Sequence, residues 1–201
     1  MSKTDLPDLF GVTDGKAVGT YIEHAFHKHL QSRYSYKVGS SASGIDFPGL
    51  EIDMKVTSIR QPQSSCPFKS ASQKVYGLGY HLLVFVYEKD DDNRKKTARL
   101  LFRHVIYISK EHTADYQTSR GICEILDRNG NIDDVSGFLE DRNLPLDEIG
   151  RNKLAERILH DRPKTGYLTV SNALQWRLQY GRVVSISEEG GNDGVENLFS
   201  L

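Results

Sequence analysis

The 201-residue chain is 38% hydrophobic and 26% charged, which suits one substantial domain, or a core with a small appended module, that stays in solution. Its formal net charge of −1 argues against a histone-like, purely electrostatic binder of nucleic acid, although lysines and arginines clustered on one surface still suit phosphate binding. No apolar run approaches the roughly 20 residues that cross a bilayer, the opening residues lack the apolar stretch of a secretory signal, and two isolated cysteines, Cys66 and Cys123, make neither a disulfide framework nor a zinc cluster. The expectation is a reduced, cytoplasmic protein.

The first element is an amphipathic helix over Ala17–Gln31, with Val18, Tyr21, Ile22, Ala25, Phe26 and Leu30 at helical spacing and Glu23, His24, His27 and Lys28 on the other face. Tyr34–Val38 alternates like a short strand, and the small residues Gly39–Gly44 read as a loop. Pro48-Gly49 signals a type II turn. Beyond it Glu51–Ile59 alternates strictly, with Ile52, Met54 and Val56 on one face and Glu51, Asp53 and Lys55 on the other. The result is a hairpin with one apolar and one ionisable face.

Arg60–Phe68 reads as a polar loop and Lys69–Leu78 as a helix. Leu82–Tyr87 is a continuous apolar run, the mark of a strand covered on both faces. After a solvated turn at Asp90–Asn93, Ala98–Ile108 returns as a strand. Helical patterns follow over Glu111–Leu126, Val135–Arg142 and Leu146–His160. Thr169–Ser171 offers capping groups to a helix through Gln179, and Arg182–Ile186 suits a short strand. That order is the order of a winged helix-turn-helix. From Glu188 the chain is Gly-rich and acidic, and is expected to be a flexible tail.

The chemistry concentrates on the hairpin. With a two-residue turn at Gly49-Leu50, Asp46 lies directly opposite Asp53; in the Pro48-Gly49 register it faces Glu51 and reaches Asp53 diagonally. Either way two carboxylates stand within roughly 4.5–8 Å between Cβ atoms, a repulsive arrangement for an ordinary solvated strand. A divalent cation removes the repulsion, and Mg²⁺ commonly takes one or two carboxylates together with water and phosphate. Lys55, two residues beyond Asp53, shares its face, where an ammonium can touch a scissile phosphate and stabilise developing charge. Two acids and a lysine are a minimal set for hydrolysing a phosphodiester.

Asp46, then six residues, then Asp53-Met54-Lys55 resembles the PD-(D/E)XK signature of the restriction endonuclease-like nuclease superfamily. The preceding amphipathic helix and the helix and strand that follow match that family's order of elements over roughly residues 15–110. The stretch from Asp46-Phe47-Pro48 to Asp53-Met54-Lys55-Val56-Thr57-Ser58 is most similar to type II restriction enzymes. Ile45 stands where the family usually has Pro. The resemblance implies that Asp46 and Asp53 bind Mg²⁺, that Lys55 positions the nucleophilic water, and that Glu23 on the first helix joins them as a further acid, with Glu51 an alternative. It also implies a role for Gln73 or Lys74.

Other constellations are weaker. His24 and His27 share a helical face beside His29, but no second ligand pair follows, so a zinc site is not expected. Ser64-Ser65-Cys66 has no clear base partner, so a catalytic thiol is not expected. Gln61, Gln63, Ser64 and Ser65, beside the active strand, suit hydrogen bonds to bases or phosphates. Ser171, Asn172, Gln175 and Arg177 would begin a recognition helix in the C-terminal module.

The sequence thus predicts an α/β fold, a restriction endonuclease-like mixed sheet flanked by helices, with the nuclease core over residues 1–128. A helical, winged-helix-like module spans 129–187 and the tail 188–201. The expected activity is that of a Mg²⁺-dependent type II restriction endonuclease acting on double-stranded DNA as a homodimer. A repair or recombination nuclease and a non-catalytic DNA-binding regulator are the alternatives.

Overall fold

The apolar run at Leu82–Tyr87 becomes the middle of a mixed sheet. In the computed structural model, which describes residues 4–36, 39, 44–67, 69–171 and 176–199, strand β3 (His81–Asp92) lies between β1 (Ile52–Ser58) and β4 (Thr97–Ile108). It pairs parallel to β1 and antiparallel to β4. A short strand β7 (Val195–Asn197) closes the far edge of β4, giving the order β1-β3-β4-β7.

Both faces of β3 are covered, which explains its lack of alternation. Phe85 and Tyr87 pack with Met54 of β1 and with Val18 and Ile22 of helix α1 (Gly15–Gln31). Leu82, Val84 and Val86, each fully buried, face the opposite way. They meet Leu178 and Tyr180 from the end of a second sheet, and Val183 and Val184 of helix α6 (Gly181–Glu188). Burying each such aliphatic side chain stabilises the fold by roughly 1.5–3 kcal/mol. That second sheet has the order β2-β6-β5, formed by Gln63–Cys66, Trp176–Gln179 and Thr169–Val170.

A third apolar cluster joins α2 (Gln73–Tyr76), α3 (Tyr116–Asp127), α4 (Ile132–Asp141) and α5 (Glu148–His160) through Val75, Ile122, Val135, Leu139 and Ile158. Acids and amides cap these helices as local chemistry requires. Asn131 and Asp134 form a reciprocal capping box, and Asp147 accepts from the Gly150 N–H. Buried Asp115 caps α3 through the Thr118 N–H and also accepts from the Val170 N–H at 2.9 Å, which fastens β5 to the helical cluster.

The mixed sheet flanked by helices agrees with the α/β expectation; the C-terminal reading needs correction. The expected helix through Gln179 is not found among the described residues: Thr169–Val170 form β5 and Trp176–Gln179 form β6, while residues 172–175 lie outside the described residues. Leu178 and Tyr180 point inward while Arg177 and Gln179 point outward, a period of two rather than 3.6. Arg182–Ile186, expected to be a strand, lies within α6, because Val183, Val184 and Ser187 share a buried helical face. Among the described residues the order helix, turn, helix, strand is therefore not found there, and they contain no winged helix-turn-helix.

The stretch beginning at Glu188 supplies β7, whose Val195 is buried against β4. Arg60–Phe68, read as a loop, contains β2, whose partner β6 lies far along the chain and leaves no local signal. The helix expected over Lys69–Leu78 is the single turn α2, ended by Gly77 at φ +89 where a Cβ would fall 2.6 Å from the Lys110 carbonyl. Tyr34–Tyr36 forms no strand, and Lys37 and Val38 lie outside the described residues.

Candidate active site

The site lies where three pieces of chain meet at the free edge of the main sheet. Phe47 and Ile52 exchange backbone hydrogen bonds, Phe47 N–H to Ile52 O at 2.9 Å and Ile52 N–H to Phe47 O at 3.3 Å. This register sets Asp46 beside Asp53, the first of the two pairings compatible with the sequence. The connection is longer than a two-residue turn, however. Gly49 keeps a negative φ, so the turn is not type II, and Glu51 takes the left-handed conformation at φ 53 instead.

Phe47 anchors the turn by packing on Phe26 and stacking on the His27 ring at 4.9 Å, while His27 Nδ1 and the Tyr36 hydroxyl lie 3.0 Å apart. His27 thus supports the turn. Among the described residues no three His, Cys, Asp or Glu side chains form a metal-holding group.

Asp46 is positioned by its own carboxylate, whose Oδ2 accepts from the Met54 N–H at 2.8 Å. Its carboxyl group comes within hydrogen-bonding reach of the Asp53 carboxyl. Asp53 is only 4% exposed, and Lys55 Nζ pairs with its Oδ2 at 2.7 Å. Burial pushes the Asp53 carboxyl up to about 6, against the pull of Lys55, and Asp46 adds to the rise. Glu23, half-buried on α1, is also raised, first by burial and then by the charge of Asp46, with Lys55 opposing. Glu23 and Asp53 therefore both sense Asp46 and Lys55, across 33 residues of sequence (23 to 55).

Glu51 does not join them. Its exposed carboxylate accepts from Lys110 Nζ at 2.8 Å, an ion pair that lowers its pKa. Gln73 and Lys74 are also engaged elsewhere. Gln73 Nε2 donates to the Leu78 carbonyl at 3.2 Å, and Lys74, 2% exposed, lies near Asp115 and Arg142.

The next strand folds over the acids. Thr57 Oγ1 accepts from the Gln63 N–H at 2.8 Å and donates toward the Gln63 and Gln61 carbonyls, turning the chain back so that β2 runs beside β1. At its far end Cys66 is buried and senses Asp53 and Lys55. Burial raises its thiol pKa, which suits an inert side chain better than a nucleophile. Tyr80 and Tyr180 also stand close enough to feel Asp53, and burial drives both phenols upward. Neither tyrosine carries a local sign of nearness to Asp53: Tyr80 only opens the apolar run after Gly79, and Tyr180 reads as an apolar-face residue closing the segment.

Of the other expected contacts, Ser64 turns inward, its Oγ 2.6 Å from the Tyr180 hydroxyl. Gln61 and Ser65 are exposed and Gln63 partly so. Ser171 and Arg177 are joined at the end of the β5–β6 pair by Arg177 N–H to Ser171 Oγ at 3.0 Å. Asn172 and Gln175 lie outside the described residues.

One buried carboxyl group with a raised pKa, Asp53, thus stands beside a second, partly exposed one, Asp46, and a paired lysine at the edge of a sheet. Residues 1–197 match the family model described as type II restriction enzyme NspV. The type II restriction enzyme NspV of Nostoc sp. (strain ATCC 29411 / PCC 7524) is 59% identical over 193 residues, covering 96% of this chain and 87% of the relative. No solved structure gives a significant match. The chain belongs to the NspV family of type II restriction enzymes, the sequence-specific endodeoxyribonucleases.

Proposed function

We propose that this endonuclease cuts both strands of duplex DNA with a PD-(D/E)XK site in which Asp46 and Asp53 hold Mg²⁺ and Lys55 serves the reacting phosphate. The single observation that carries this reading is the closeness of the Asp46 and Asp53 carboxyl groups, one of them nearly sealed from solvent and raised to about 6. Such a pair is costly to ionise unless a cation joins it. The donors are carboxylate oxygens, with neither cysteine nor histidine among them, which suits Mg²⁺ rather than Zn²⁺. Bound there, the ion would supply positive charge to the scissile phosphate.

The protein's own groups do the rest. Lys55 Nζ, now held by Asp53, is partly exposed and can turn toward the phosphate, where its charge offsets the charge that develops during attack. It can also hold the attacking water by a hydrogen bond. Glu23, with its raised affinity for a proton, stands near enough to Asp46 and Lys55 to take up or pass on the proton that the water loses. Burial of Asp53 beneath β2 keeps bulk water from weakening these interactions.

Cutting two strands of a two-fold symmetric site favours a homodimer, since the symmetry of the protein can then match that of the duplex. Digestion of a plasmid of known sequence in Mg²⁺ tests the reading. Discrete fragments, reproducible and abolished by EDTA, support it. A smear, or cutting unaffected by chelation, would overturn it.

A further inference from the structure

The β2-β6-β5 sheet has one face with no partner among the described residues, and its composition is unusual for a surface this close to the buried Asp53. In the antiparallel register Gln63 lies opposite Gln179 and Ser65 opposite Arg177, while Thr169 lies on the other side of Gln179. Side chains alternate, so all five share one face. Ser65, Thr169, Arg177 and Gln179 are exposed and Gln63 is partly so. The opposite face carries Ser64, Cys66, Val170 and Leu178, with Tyr180 following, and is packed into the core.

Among the described residues the outward face therefore holds four hydroxyl or amide side chains and one guanidinium, with neither an acid nor a large apolar side chain. Arg177 makes no ion pair with any described residue, whereas many of the protein's exposed arginines do, among them Arg99, Arg103, Arg120, Arg157 and Arg162.

We infer that this face is the surface that reads base edges in the major groove of the DNA. Arg177 recognises a guanine, and Gln63 and Gln179 recognise adenine or its partner. The inference rests on the reading of the chain as a DNA endonuclease and adds the element that gives it sequence preference. The chemistry fits: Arg pairs bidentately with guanine O6 and N7, and Gln with adenine N6 and N7. So does the size, because Arg177 and both glutamines lie on the paired strands β2 and β6, and a two-stranded ribbon fits a major groove about 12 Å wide. Two rows of side chains on one face repeat every ~6.7 Å along a strand, close to two base-pair steps of about 3.4 Å.

Position strengthens the case. Thr57, two residues beyond Lys55 on β1, holds the Gln63 backbone directly. The reading face is thus fastened to the strand that carries the acids, so docking of the one fixes the approach of the other. This replaces the recognition helix expected from the sequence with a ribbon. It also removes Ser64 from the contact set and brings in Gln179.

The test begins by mapping the sequence that the wild-type enzyme cuts in a plasmid of known sequence. Short duplexes carrying that site, and every single base-pair change within it, are then bound by Lys55→Ala protein, with and without Arg177→Ala, Arg177→Lys, Gln179→Ala or Gln63→Ala. Arg177→Ala is expected to weaken binding of the mapped site between about 5- and 150-fold. It should also flatten discrimination at one G·C position only, with an unchanged melting temperature. Arg177→Lys, which keeps the charge but loses the fork, should flatten discrimination at the same position. Gln179→Ala or Gln63→Ala should act at an A·T position. Full discrimination in all four variants would overturn the inference. So would an equal loss of affinity for every duplex that lysine restores, since that identifies a phosphate anchor. If the wild-type protein cuts no DNA at all, the underlying endonuclease reading fails instead, before any variant is compared.

Discussion

The two sheets of this protein do opposite things with similar residues. The main sheet buries Asp53 beneath a neighbouring strand, where loss of water makes its carboxyl group hold a proton up to about pH 6. The small sheet keeps Gln179 and Arg177 in water, where they cost nothing to hold and stay free to bind. Catalysis by charge gains from exclusion of solvent, because low dielectric strengthens every interaction at the reacting centre. Recognition gains from exposure, because a hydrogen-bonding edge must be reachable before the partner arrives. Thr57 joins the two by touching both.

That contrast can be broken at several points. The largest effect is expected at the buried end: Asp46→Asn should lower the rate of Mg²⁺-dependent plasmid cleavage by about 10²- to 10³-fold or more, measured as initial rates, with little change in melting temperature.

The next concerns pH. The Asp53 carboxyl is raised from 3.8 to about 6, so the folded protein binds this proton more tightly than the unfolded chain does. Its stabilising contribution is complete below about pH 4 and is lost as pH rises through 6. By pH 7 the metal-free protein forgoes about 3 kcal/mol from this group. Denaturant titration in EDTA at pH 4 and 7 should show that loss in the wild type and not in Asp53→Asn. Mg²⁺ should raise the melting temperature at pH 7.5 and do so less as pH falls through 6, because the cation competes with the proton.

A smaller effect is expected at the joint. Thr57→Val leaves the Gln63 N–H without its acceptor in a buried setting, at a cost of about 1–3 kcal/mol. Thermal melts should fall by roughly 2–4 °C for each kcal/mol, and cleavage should become less selective between related sites if the reading face tilts. The smallest concerns Glu51, which pairs with Lys110 at the surface. Glu51→Gln should leave cleavage within about twofold of wild type, as expected for a solvated ion pair. A loss as large as that of Asp46→Asn would place Glu51 in the machinery.

How much of this was legible depends on how local the signal is. The Asp46, Asp53 and Lys55 set could be read because a turn and strict alternation bring these residues together within ten positions of sequence. Glu23 required a resemblance, since nothing in the helix tells that its one acid faces a strand 30 residues away. The apolar run of β3 declared a doubly covered strand. The C-terminal part misled because Arg177-Leu178-Gln179-Tyr180 is short enough to satisfy either periodicity, and its decisive partner, β2, is over 100 residues earlier. Tertiary pairing then overrode a capping signal at Thr169. The glycines of the tail suggest a loose segment, yet Val195 finds a buried place on β4 and carries the strand with it.

The most direct test of the central claim separates cutting from binding in the same molecule. Asp53→Asn and Lys55→Ala should each abolish the discrete Mg²⁺-dependent fragments that the wild type produces from a plasmid, while still binding a short duplex carrying the mapped site more tightly than unrelated DNA. Undiminished cleavage in either variant would contradict the assignment of the buried acid and its lysine as the cutting centre.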